Sequence, residues 1–369
     1  MIDAVGEVRE AVEAGYTLPA SWYADPEVYA LERDRIFARS WQYVGRSELV
    51  AEPGQFMASY AGHVPVVVVR DHDDKLNALV NVCRHRGTEV ASGCGRRETL
   101  QCPYHAWTYG LDGSLRVAPR SERESGFDKS EWGLFPMLVD TWGPFVFVNP
   151  DPDAGPLAAH LGELPEIVAS SGLELGLLRF RERVEWEQQV NWKIAVENYL
   201  ECYHCPVAHP SFSRLYDVDP DAYLLRSYPT FSSQFGPVRE SALSGNGTAI
   251  PYDPHGEVKQ AQYHLLWPNT TINIDAGRTN LSIDRWIPAG PARTLGTSDY
   301  FFAEDVPDET AREMIAFGMQ VAAEDKELVE AVQRGLNSNT VLRWRLLLNS
   351  EHLIQHFQRH VVESLAGYE

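Results

Sequence analysis

The chain has 369 residues, 44% apolar and 23% charged, an ordinary composition for a folded globular protein and a length that favours two hydrophobic cores over one. With 52 acidic against 32 basic residues the net charge is −20, which argues against nucleic acid or an anionic membrane surface as partner. Five cysteines are too few for a disulfide scaffold, MIDAVGEVREAVEAGY lacks a signal-peptide pattern, and the densest apolar run, 64–69, is too short to cross a membrane; a cytoplasmic protein is expected.

The first clear element is a helix in SWYADPEVYALERDRIFARSW, with Asp25 as N-cap and Pro26 at the first helical position. From about Val44 short apolar runs follow, VPVVVV (64–69), ALVNV (78–82) and PFVFVN (144–149), separated by turn residues; this predicts a small β-rich domain. PDPDAGP (150–156) reads as a linker. Beyond it come a helix over NYLECYHCPVAH (198–209), strands at TINI, LSIDRWI and DYFFA, and helices over roughly 308–335 and 350–365. SGNGTAIPYDPHGE (244–257) is expected to be a long polar loop.

Two groups of residues carry chemistry. The β-rich part contains Cys83-x-His85 and Cys102-x-x-His105, with sixteen residues between the pairs. Two thiolates and two imidazoles could close a tetrahedral zinc site. Cys-x-His is too tight for a zinc knuckle, however, whereas a two-iron cluster needs each short loop to give one ligand to each iron. The pattern points to a Rieske [2Fe–2S] centre, where two histidines replace two cysteines on one iron. Cys94 lies between the pairs and is expected as an unligated thiol.

The second group runs from Asn198 to His209. On a straight helix Glu201 and His204 share a face, but His204 and His209 stand about 140° apart around it. They can meet at one ion only if the helix breaks, and Pro206 is expected to break it between them. Two histidines and one carboxylate are the usual ligands of an oxygen-activating non-heme iron. Spacing alone does not identify the carboxylate.

CRHRG and CPYHAWTYG resemble the Rieske loops of the ring-hydroxylating oxygenase α subunits, and the resemblance continues through WQYVGRSELV, NWKIAVENYLECYHCPVAH and AEDKELVEAVQRGL. Respiratory-chain Rieske proteins carry a further, disulfide-bridged cysteine in each loop; here Thr88 and Ala106 stand in those neighbourhoods. The resemblance implies an α+β fold in which a β-rich Rieske domain (42–150) is inserted in a catalytic domain (1–41 and 151–369), an antiparallel sheet with flanking helices of helix-grip type. It implies a [2Fe–2S] cluster on Cys83, His85, Cys102 and His105 and a mononuclear Fe(II) on His204, His209 and Asp325. Asp325 would otherwise read as one more charge on a solvated helix face, beside Glu324, Lys326 and Glu327. By the same resemblance Glu201 links an iron histidine to a cluster histidine of the next chain in a homotrimer, and Asn198 sits behind the iron ligands. Glu201 followed by CYHCPVAHP looks more like the branch that oxidises quaternary ammonium compounds, with Tyr203, Tyr263, Trp267 and Trp286 as candidates for a cation cage.

The sequence has neither Gly-x-Gly-x-x-Gly nor a plant-type cysteine run, so electrons are expected from a separate reductase, or a ferredoxin, that draws on NAD(P)H. The expected function is a terminal oxygenase that uses O₂ to hydroxylate or oxidatively demethylate a small organic substrate. The alternatives are an aromatic-ring hydroxylase, a Rieske electron carrier, and a zinc hydrolase with Glu201 as base. His352, His356 and His360 recur every four residues, a spacing that can bind zinc, but are expected to flank the apolar stripe of Leu353, Phe357 and Val361 instead.

Overall fold

The computed structural model describes residues 5–243 and 252–366, so the first part of the expected polar loop, 244–251, lies outside them. The chain divides into two compact units: Phe37–His160, and a discontinuous one that runs up to Ile36 and resumes at Leu161. Among the described residues no helix is long and apolar enough to cross a membrane.

The unit Phe37–His160 is built of strands β1 (Gln42–Arg46), β2 (Gln55–Ala61), β3 (Val64–Arg70), β4 (Leu76–Val80), β5 (Cys94–Arg96), β6 (Leu100–Gln101), β7 (Thr108–Tyr109), β8 (Leu115–Val117), β9 (Pro136–Trp142) and β10 (Phe145–Asn149). Seven of them form a sheet in the order β1-β10-β9-β4-β3-β2-β5, and β6-β7-β8 form a smaller one. The unbroken valine run of β3 follows from burial on both faces, since successive side chains point to opposite sides. Val66 and Val68 join a core with Val44, Val146 and Val148. Val67 and Val69 join a second core with Leu79, Cys83, Cys102 and Tyr109, which thus lies directly beneath the cysteine-bearing loops.

The other unit carries strands β11 (Leu178–Gln188), β12 (Leu224–Ser227), β13 (Phe231–Pro237), β14 (Gln260–Leu266), β15 (Thr270–Ile274), β16 (Asn280–Gly290) and β17 (Arg293–Ala303). They make one antiparallel sheet in the order β11-β17-β16-β15-β14-β13-β12. The expected helix near the amino terminus is Pro26–Arg35, and the Asp25 side chain accepts from Glu27 N at 2.8 Å. The two closing helices are Asp308–Asn337 and Leu348–Ala366.

A short helix, Trp192–Tyr199, leads into the His204 segment, and buried polar contacts hold it in place. Asn191 caps it by accepting from Lys193 N at 3.0 Å, while Asn191 N donates to Gln333 Oε1 of the helix Asp308–Asn337 at 2.7 Å. Lys193 and Glu32, both fully buried, form an ion pair, and Trp192 Nε1 donates to Glu32 Oε2 at 2.8 Å. Stranding one partner of such a pair costs on the order of 3–5 kcal/mol, so the helix start is firmly tethered. Tyr23 and Gln358 donate to Glu197 at 2.7 and 2.9 Å, and burial raises that carboxyl to about 7.

Candidate active site and cluster loops

The two cysteine loops are the same turn made twice. Cys83 N donates to Thr88 O and Gly87 N to Cys83 O; Cys102 N donates to Trp107 O and Ala106 N to Cys102 O, all at 2.8–3.1 Å. The fourth residue after each cysteine is left-handed, Gly87 at φ 75° and Ala106 at φ 58°. Asn81 pins the first loop, accepting from Val90 N and Ala91 N and donating to Ala91 O. Both cysteines are buried and unpaired, while His85 and His105 are exposed with rings 4.6 Å apart. Burial raises the Cys102 thiol above its ordinary value, and Tyr109 OH lies 3.3 Å from Cys83 Sγ. The four side chains suit a two-iron cluster better than one zinc ion: among the described residues, the group whose ligand atoms close to within 4.8 Å is a different one. Cys94 is exposed and forms no disulfide.

That convergent group is His204, His209 and Asp325. His204 Nε2 lies 3.1 Å from His209 Nε2, and Asp325 Oδ1 lies 3.0 Å from His209 Nε2 and 3.5 Å from His204 Nε2. The backbone reaches this arrangement differently from the sequence expectation. The helix already ends at Tyr199, and Pro206 begins a new one, Cys205–Ala208, followed by Pro210–Leu215. Pro206 therefore starts a helix instead of breaking one, because near a helix N-terminus its missing N–H needs no partner and its φ is already helical. His204 precedes this turn and His209 ends it, so the segment delivers both rings from its two ends.

Each histidine is held from behind. Glu201 Oε1 bonds His204 Nδ1, and Glu324 Oε2 bonds His209 Nδ1 at 2.7 Å, which leaves both Nε2 atoms facing the gap. Carboxylates so placed fix the tautomer and the ring orientation. Glu201 Oε2 also accepts from the N–H groups of Tyr203 and His204. Desolvation opposes the charged form of His204, but Asp325 and Glu201 outweigh it and raise the ring to about 9. Desolvation likewise raises Asp325, yet hydrogen bonds from both histidines prevail and lower it to about 2. Two imidazoles and a carboxylate that together favour positive charge in their midst fit a divalent iron.

The three residues share a cavity of about 450 Å³ with one face of the sheet. Asn198, Tyr263 and Trp286 line it, as does Trp186, which sequence reasoning missed. Its signal was Gly296 inside a strand pattern: a Cβ there would lie 1.9 Å from the Trp186 ring, so only glycine lets the indole cross β17. Two cage candidates fall elsewhere. Tyr203 is 60% exposed, and Trp267 packs on Trp192 and Phe357 in the core. Large apolar rings fill the nearest desolvated space, and for Trp267 that space is not the cavity. His356 bonds Tyr228 O at 2.9 Å and lies 3.2 Å from His360, so the histidine row is used within the fold. Cys202 and Cys205, which flank His204, are joined by a disulfide that the cysteine count did not anticipate.

Residues 40–138 match the family of the Rieske [2Fe–2S] domain, and 175–367 match that of the ring hydroxylating alpha subunit (catalytic domain). The carnitine monooxygenase oxygenase subunit of Acinetobacter pittii is 32% identical over 362 residues, 95% of each chain. The chloroplastic choline monooxygenase of Spinacia oleracea is 33% identical over 361 residues, 96% of this chain and 79% of that one. The crystal structure of the quaternary ammonium Rieske monooxygenase CntA with L-carnitine superposes with a TM-score of 0.81 at 30% identity, over 95% of both chains. Naphthalene 1,2-dioxygenase from a Rhodococcus reaches the same TM-score at 21% identity, a likeness of fold.

Proposed function

This chain belongs to the family of Rieske ring-hydroxylating oxygenase α subunits, and on that premise we propose that it oxidises a quaternary ammonium or N-methyl compound at an iron held by His204, His209 and Asp325. It is an oxygenase component that carries a [2Fe–2S] cluster and a mononuclear iron and depends on a reductase for electrons. When bound, the two centres supply single electrons and O₂ activation. The observation that carries the site assignment is the convergence of His204 Nε2, His209 Nε2 and Asp325 Oδ1 on one gap at the wall of the cavity. The substrate class draws on the carnitine and choline monooxygenases among its relatives and on the aromatic lining of that cavity.

On this reading the buried Cys83 and Cys102 and the exposed His85 and His105 would hold the cluster, which would supply single electrons. Glu201 and Glu324 orient the iron histidines. Glu201 Oε1 accepts one hydrogen bond within the chain and has a second lone pair, so the same carboxylate can also accept from a cluster histidine of a neighbouring chain in a homotrimer. Asn198 sits at the cavity wall beside them. We assign 42–150 to the cluster-bearing domain and 1–41 with 151–369 to the catalytic one. We infer an electron donor that draws on NAD(P)H, directly or through a ferredoxin, and a cytoplasmic enzyme. A Rieske electron carrier leaves the matched catalytic domain without a task.

The test is O₂ uptake by the metal-loaded enzyme with a competent reductase and a panel of trimethylammonium compounds and aromatic acids. A trimethylammonium compound should accelerate uptake and become hydroxylated, with formaldehyde released where an N-methyl group is the target. Acceleration by an aromatic acid alone would reject the substrate class and leave the oxygenase intact.

A further inference from the structure

The cavity wall opposite in character to the iron ligands is the sheet face that carries Ser282, Asp284 and Trp286 of β16, Ser298 of β17 and Asn273 of β15. The indole and amide donors of this face are spent on its own acceptors. Thr271 Oγ1 and Asn273 Nδ2 donate to Asp284 Oδ2 at 3.0 and 2.6 Å. Trp286 Nε1 donates to Thr271 Oγ1 and Trp186 Nε1 to Ser298 Oγ, so both indole N–H groups serve the same network. Tyr216 and Tyr263 donate to Asp275 Oδ1, and Tyr199 to Asn273 Oδ1. Gln234 Nε2 is committed to Tyr199 O, and its buried Oε1 has no partner among the described residues.

What this face leaves for a ligand is carboxylate oxygen and aromatic surface. Among the described residues no Lys or Arg pairs with Asp284 or Asp275. Apart from the two iron histidines, the basic side chain at the lining is Lys326, whose Nζ donates to Glu187 O at 2.8 Å. The residues outside the described set contain neither Lys nor Arg. Burial raises Asp284 to about 6, a carboxyl that a neighbouring cation would return to its charged form. The indoles of Trp186 and Trp286 lie 4.8 Å apart beside it.

We propose that Asp284, with Trp186 and Trp286, is the cation anchor of this cavity, and that the substrate is a cation with no carboxylate of its own. The inference rests on the ammonium reading above and narrows it. A zwitterion would bring its carboxylate, tethered to the ammonium, towards a sheet face whose indole and amide donors are engaged and which carries the carboxyls of Asp284 and Asp275, and burying an unpaired anion against them is unfavourable. A purely cationic ammonium meets a carboxylate and two ring faces.

Equilibrium binding to the iron- and cluster-loaded enzyme, followed by tryptophan fluorescence and calorimetry, tests this with three probes: choline, its uncharged isostere 3,3-dimethyl-1-butanol, and L-carnitine. Choline should bind at least about tenfold more tightly than either of the others. Asp284→Asn should retain both metals and lose most of the preference for choline over the isostere. L-carnitine binding as tightly as choline, or an unchanged choline-to-isostere ratio in Asp284→Asn, overturns the inference and leaves the ammonium reading standing. Failure of every ammonium probe to bind overturns both. If the variant does not fold, the wild-type ranking of the three probes decides.

Discussion

In the cluster loops the backbone does the positioning, with one hydrogen-bond pattern used twice and a left-handed residue closing each turn. At the iron site side chains do it: Glu201 and Glu324 steer two rings, and Asp325 arrives from a helix more than a hundred residues away in sequence. The first arrangement is local and holds its shape with or without its neighbours' charges. The second is a balance of attraction among carboxylates and imidazoles, so removing one member changes what the others do. The two centres should therefore fail separately and by different amounts.

The largest effect is expected at the cluster. Cys102→Ser takes away a ligand that no neighbouring side chain can replace, so the reduced-state EPR signal and all turnover should vanish while the mononuclear iron stays. A Rieske signal that survives would remove Cys102 from the ligand set.

Glu201→Gln should keep both metals, since Gln can still accept from His204 Nδ1, yet lose at least about 90% of turnover, because residues behind metal ligands commonly matter by 10- to 100-fold. Single-turnover kinetics on pre-reduced enzyme would locate the loss in cluster oxidation. Cluster oxidation at the wild-type rate would deny Glu201 any role in joining the centres.

Glu324→Gln is milder on the same grounds. It loosens His209 alone, and iron affinity should fall by about tenfold with the cluster spectrum unchanged. Competition with a chelator measures it, and an unaltered iron affinity would make Glu324 a bystander.

The same contrast explains what could be read before folding. Cys-x-His and Cys-x-x-His announce a cluster because each pair sits in one turn, and the valine run of β3 announces burial on both sheet faces. The iron triad depends on tertiary contact, and its acid came from resemblance. A physical signal was present nonetheless: Phe317, Val321, Asp325 and Val329 recur every four residues along one helix face, so Asp325 interrupts an apolar stripe instead of joining the solvated side. Glu324 carried no such mark, because only its approach to His209 separates it from the charges around it. In the sequence Pro206 reads as a breaker because proline's two roles, ending a helix and beginning one, look alike until the preceding helix stops at Tyr199. The Cys202–Cys205 pairing likewise depends on how the chain turns around His204.

Metal analysis of Asp325→Ala against the wild type tests the separation of the two centres most directly. The wild-type chain should hold about three irons and two acid-labile sulfides, and the variant about two irons and two sulfides, with a reducible cluster and no oxygenation. Full iron and full activity in Asp325→Ala, or loss of sulfide along with the iron, would contradict the account.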